Sequence, residues 1–128
     1  MPAMATGTLI GESIRPGTTL DGVPITVNKI ERVEPGNISD EQLASGIPPR
    51  WTLLFFEVAD DAAPALADAF AAILDEPGWY VDFHTADESF VVFREAVFRY
   101  AKGDADGRAE AEAHARAHGV PDAQIDWP

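Results

Sequence analysis

The sequence contains no cysteine. That excludes a disulfide framework, a thiol nucleophile, a thiolate zinc site and an iron–sulfur cluster. Positive charge is scarce: 9 Lys and Arg stand against 22 Asp and Glu, for a formal net charge of −13. A phosphate backbone and an anionic membrane surface are both repelled by such a chain, so neither nucleic acid nor a membrane is expected as a partner. The same balance suits a basic protein partner or a cationic ligand. No apolar run approaches the length of a membrane span. The opening MPAMATGTLIGES lacks a basic stretch leading into an apolar core, so no signal peptide is expected and the default location is the cytoplasm. None of the 10 glycines falls into G-x-x-x-x-G-K-[ST] or G-x-G-x-x-G. The phosphate-cradling loops of nucleotide sites are thereby unsupported. There is no G-x-S-x-G, and GDADG (103–107) lacks the spaced ligands of a calcium loop, so capping explains it better. No cofactor is expected.

What remains is an ordinary globular composition: 128 residues, 46% hydrophobic and 24% charged. This is the size of one domain, large enough to bury a core without a metal or disulfide. Residues 1–7 read as a loose start. Residues 8–35 contain short extended pieces, of which GVPITVNKIERVEP alternates with period two and reads as an edge strand after Pro24. Ser39 with Gln42 three residues later fits a capping box, opening a helix that Gly46 and Pro48-Pro49 soon end.

WTLLFFEV (51–58) is apolar on both sides of a strand and is expected to be buried on both. Asp60 and Asp61 offer N-caps and Pro64 suits a first turn. ALADAFAAILDE then places Leu66, Phe70, Ile73 and Leu74 at helical spacing, with Pro77-Gly78 as the stop. Three strands follow, WYVDFHT (79–85), SFVVFRE (89–95) and VFRYAK (97–102). Their connections are too short for anything but antiparallel hairpins. A last helix is expected from about Asp106, as cap, to His118, with Gly119 and Pro121 beyond it. Trp127 is expected to pack back on the body. The fold class is α+β: one mixed or antiparallel sheet with a three-strand C-terminal meander and two main helices on one face.

A three-residue first loop, Ala86-Asp87-Glu88, would put Trp79, Val81, Phe83, Val91, Phe93, Phe98 and Tyr100 in one core layer. Tyr80, Asp82, His84, Phe90, Val92, Arg94, Val97 and Arg99 would then share the opposite face. This mixed face is the candidate site, with Trp51 as a further wall. Asp82 and His84 are an acid–base combination, but positions i and i+2 on a strand lie nearly 7 Å apart, about two strand rises. A charge pair from Asp82 to Arg94 or Arg99 is the simpler expectation. Glu110, His114 and His118 fall at i, i+4 and i+8 of the last helix, a weak metal stripe without a convergent third and fourth ligand.

The motifs GWYVD, VVF with VFRY, and GVP with the closing DW resemble a group of small uncharacterised bacterial proteins. The resemblance spans residues 51–127. It implies a shared fold, and no catalytic residue is carried over from it. The function expected from the residues is a protein-interaction module without catalysis, self-associating as a homodimer through the mixed sheet face. The alternatives are a small-molecule site or small enzyme at the same place, around Tyr80, Asp82, His84, Arg94 and Arg99, and an acidic antagonist of a basic protein.

Overall fold

A computed structural model describes residues 3–36, 38–125 and 127. The chain forms one antiparallel sheet of six strands: β1 (Met4–Ile10), β2 (Ile25–Val33), β3 (Trp51–Ala59), β4 (Val81–His84), β5 (Glu88–Phe93) and β6 (Ala96–Ala101). Their spatial order is β2-β3-β1-β4-β5-β6. Helix α1 (Asp40–Ala44) lies between β2 and β3, α2 (Ala63–Ile73) follows β3, and α3 (Ala105–Ala117) follows β6. The expected α+β class, antiparallel sheet and C-terminal meander are present.

The expected loose start is instead the central strand. From Met4 onward β1 pairs with β3 on one side and β4 on the other; Met1 and Pro2 lie outside the described residues. MATGTLI carries few large side chains because there is little room for them. A Cβ on Gly7 would sit 2.6 Å from both the Asp82 carbonyl oxygen and the Phe83 Cβ.

β2 is an edge strand, as Pro24 suggested, and a bulge at Asn28 shifts its register against β3. Bulges and edge lysines discourage pairing with a further strand, and Lys29 follows the bulge with its ammonium over the Phe55 ring.

The capping box forms as read: Ser39 Oγ accepts from Gln42 N–H and Gln42 Oε1 accepts from Ser39 N–H. Asp60 and Asp61 sit in a short 3-10 turn rather than capping α2, and Pro64 occupies its first turn. For α3 the cap is Asp104, whose side chain accepts from Gly107 N–H. Gly107 lets the helix close on β6, since a Cβ there would meet Tyr100 Cβ at 2.5 Å.

The two main helices, expected together, pack on opposite faces. The cause is one residue in the first hairpin. Thr85 N–H bonds Glu88 O, and the Thr85 hydroxyl accepts from the Asp87 and Glu88 amides. The loop is therefore two residues, Ala86 and Asp87, and Phe83 pairs with Phe90 instead of Val91. A one-residue slip moves every side chain of a strand to the other face. Phe90 and Val92 thus join Val81 and Phe83 under α2, around Phe70 and Leu66. Val91, Phe93 and Tyr100 turn to the other face, where Ala111 and Ala115 of α3 cover them together with Trp127. The expected burial of Trp127 holds. Trp79 joins neither layer and packs with Trp51 and Ile47 at the end of the sheet.

Candidate functional site

α3 covers the meander end of its face. The β1, β3 and β4 part beside it is only partly covered, and the functional candidates collect there. In β4 (VDFH) Val81 and Phe83 point into the α2 core, so strand alternation sends Asp82 and His84 to the α3 face. β1 places Thr8 opposite Asp82 and Thr6 opposite His84, and β5 places Ser89 opposite His84.

Asp82 and His84 do bond directly, against the distance expected from their backbone spacing. His84 Nε2 lies 2.7 Å from Asp82 Oδ2 and Nδ1 lies 2.9 Å from Ser89 Oγ. The imidazole spans the two strand rises along the strand, held at its far side by the cross-strand serine. A carboxylate only accepts, so Nε2–H donates to Asp82. With the ring neutral, Nδ1 then accepts from the Ser89 hydroxyl. Tyr100 extends the chain through a side-chain hydrogen bond with Ser89. Burial raises the Tyr100 pKa above the ordinary tyrosine value, with Asp82 adding to the rise, while Ser89 opposes it. Tyr100 therefore stays a neutral phenol.

This order of groups resembles a hydrolase triad, but Ser89 is fully buried. A serine between an imidazole and a phenol, with no access to substrate, positions His84 and does not attack. His84 in turn fixes Asp82. The side chains of His84 and Asp82 keep 18% and 27% of their exposure, and Asp82 is the member that reaches open space. It lines a cleft of about 420 Å³. The floor is Thr8, Ile10, Leu53, Trp51 and Val33; Trp79, Tyr80 and Gln124 form one wall, and Gly78 and Pro35 complete the lining.

The wall is built by contacts distant in sequence. The Tyr80 hydroxyl donates to the Gln124 carbonyl, and the Tyr80 ring meets Trp127 edge-on at 5.0 Å. The buried amides of Gln42 and Gln124 bond each other reciprocally at 3.2 and 3.1 Å. Trp51 and Trp79 lean together at 5.6 Å between centroids, and Trp51 Nε1–H donates to Pro48 O.

Of the expected site residues, Trp51, Tyr80 and Asp82 meet in the cleft, with His84 behind Asp82. The others are elsewhere. Phe90 and Val92 are 1% and 0% exposed beneath α2 and form no outer face. Arg94 lies in the β5–β6 turn, 3.4 Å from Glu76. Arg99 forks onto Glu88 at 2.7 and 2.8 Å and lies over the Phe90 ring, on the sheet face opposite Asp82. Neither arginine pairs with Asp82.

On α3, His114 and His118 stack at 3.9 Å, and His114 also packs on Phe93 and Phe98. Burial and the neighbouring His118 lower the His114 pKa. Among the described residues no three His, Asp or Glu side chains converge as a metal site requires, so Glu110, His114 and His118 form a packed and solvated helix face.

Sequence reasoning missed Ser89, Thr8 and Gln124. Ser89 had a readable signal, because Thr85 is a turn-forming residue and a two-residue turn sets Ser89 opposite His84. The Gln42–Gln124 pair had none. No family model matches the chain, and no curated protein or solved structure is detectably similar to it. No helix of the described residues is long and apolar enough to cross a membrane.

Proposed function

We propose that this protein binds a small organic molecule in the cleft on the α3 face of the sheet. The observation that carries the reading is Asp82. It is a carboxylate fixed by His84 and backed by Ser89 and Tyr100, standing at the floor of a concavity lined by Trp51, Trp79 and Tyr80. Ligand sites typically combine a mostly apolar concavity of about 300–1,000 Å³ with a few placed polar groups. The lining fits that description, with Thr8, Asp82 and Gln124 as its polar members. Binding is the role this lining supports.

The test is a fragment screen on isotope-labelled protein, read as amide and indole N–H shifts. The expected result is a set of hits whose shifts cluster at Thr8, Trp51, Trp79 and Asp82. Hits that cluster on another surface, or no hits at all, would sink the reading.

A second reading keeps self-association and moves it to the β2 edge, where Val27 and Ile30 are 43% and 65% exposed. The bulge at Asn28 and Lys29 weigh against it. Light scattering at high concentration decides: a dimer that Ile30→Lys dissociates supports this reading, and a monomer ends it.

A further inference from the structure

The charge of the ligand follows from what the cleft has and what it lacks. Among the described lining residues Asp82 is the single one that carries charge at neutral pH, and none is basic. Arg32 and Arg50, next in sequence to the lining residues Val33 and Trp51, pair with Glu12 and Glu34, and Arg94 and Arg99 pair with Glu76 and Glu88. On α3, Arg108 donates to Glu112 and to the Trp127 carbonyl, and Arg116 bonds Glu112 and Asp122. His84 supplies Asp82 with one N–H donor, which orients the carboxylate.

We infer that the cleft selects a small organic monocation: an amine or guanidine on an apolar body. The inference rests on the cleft being a binding site at all. Its physical core is desolvation. Any molecule that fills the cleft strips water from Asp82. A neutral ligand leaves that carboxylate uncompensated, and an anion adds repulsion. A cation replaces the lost water with an ion pair and a charge-assisted hydrogen bond. The rest of the lining suits the same molecule. Aromatic rings attract a cation over their faces, and Trp51, Trp79 and Tyr80 supply them. Ile10, Val33 and Leu53 offer surface for an apolar body. The net charge of −13 also draws cations toward the protein before they dock.

Three probes of matched shape separate the sign of the charge from the existence of the site: 2-phenylethylammonium, 2-phenylethanol and 3-phenylpropanoate. Each is titrated into the intact protein while the amides of Thr8 and Asp82 and the indole N–H groups are followed. The expected result is that the ammonium binds roughly tenfold more tightly than the alcohol, about what one charge-assisted contact provides. The carboxylate is expected to bind weakest, and Asp82→Asn should bring ammonium and alcohol to equal affinity. Salt provides a readout independent of that variant, since added sodium chloride should weaken the ammonium and leave the alcohol unchanged. If the alcohol binds as well as the ammonium and both ignore salt, the charge inference is wrong and the cleft still stands as a site. If none of the three shifts the cleft residues, both fall together.

Discussion

The two faces of the sheet are made by the same strands and do different work. Under α2 the contacts are carbon on carbon. Phe56, Phe70, Phe83 and Phe90 interlock edge-to-face or stacked, at centroid separations from 4.9 to 5.9 Å. Under α3, Phe93 and Phe98 pack among large side chains that carry polar atoms: Tyr80, Tyr100, His84, His114, Gln124 and Trp127. Tyr80 bonds the Gln124 backbone, Gln124 bonds Gln42, and His84 bonds Asp82 and Ser89. β4 contributes to both, with Val81 and Phe83 on the dry side and Asp82 and His84 on the wet side. A dry face gains stability from burial alone. A polar face gains less, because each bond replaces one to water, but it holds groups in defined directions. The difference teaches where stability and specificity have been separated in this chain.

Four substitutions break or sharpen that contrast. The largest effect belongs to the dry face. Phe83→Ala removes a ring touching three other phenylalanines and should lower unfolding free energy by about 3–5 kcal/mol in urea denaturation. A loss under about 1 kcal/mol would show that the α2 face is not the main support. Next comes Gly7→Ala, whose new Cβ meets backbone at Asp82 and the Cβ of Phe83. Neither yields easily, so a loss of about 1–3 kcal/mol is expected from a thermal melt.

Ser89→Ala, on the polar face, leaves the His84 Nδ1 without its serine partner. It should cost about 1 kcal/mol while loosening the ring, seen as altered shifts and linewidths of its carbon-bound protons. An unchanged His84 spectrum would remove Ser89 from its positioning role.

The smallest effect is a pH slope. His114 has a lowered pKa in the folded chain, through burial and then through His118. The unfolded chain therefore binds more protons below the ordinary histidine value of about 6.5. The contribution of His114 is complete above that value and is lost as pH falls toward the lowered one. His114→Phe keeps a ring against Phe93 and Phe98 and should flatten this part of the plot of melting temperature against pH.

Much of the frame was legible in the residues. Helix α2, the apolar β3, the capping box at Ser39 and Gln42 and the three-strand meander each carry a local signal that tertiary contacts reinforce. The N-terminal β1 was not legible, because it is built to be covered. Ala5 and Gly7 are small where Phe56 and Phe83 need the space, so the strand lacks the large residues by which strands are recognised. The site was half legible. Asp82 and His84 were singled out, and their shared face was read correctly. Their neighbours were not, because Thr85 shortens one loop by a residue and exchanges Phe90 and Val92 for Ser89 and Val91. Gln124 reaches Gln42 across 82 positions, a distance over which no pattern in the sequence connects them.

The central place of β1 has a kinetic consequence. Its partners are far along the chain: Met4 pairs with Ala59, and Thr6 pairs with both Glu57 and His84. The meander closes through tight turns, and β2 with β3 closes across one short helix. Two half-sheets can thus form early, each with a raw edge. Insertion of β1 joins them and shuts both edges, and it carries the longest loop closures in the sheet. Contacts of that kind slow folding. Until the insertion, the β3 and β4 edges are open templates for a second chain. The cleft floor is also incomplete until then, because Thr8 and Ile10 arrive with β1.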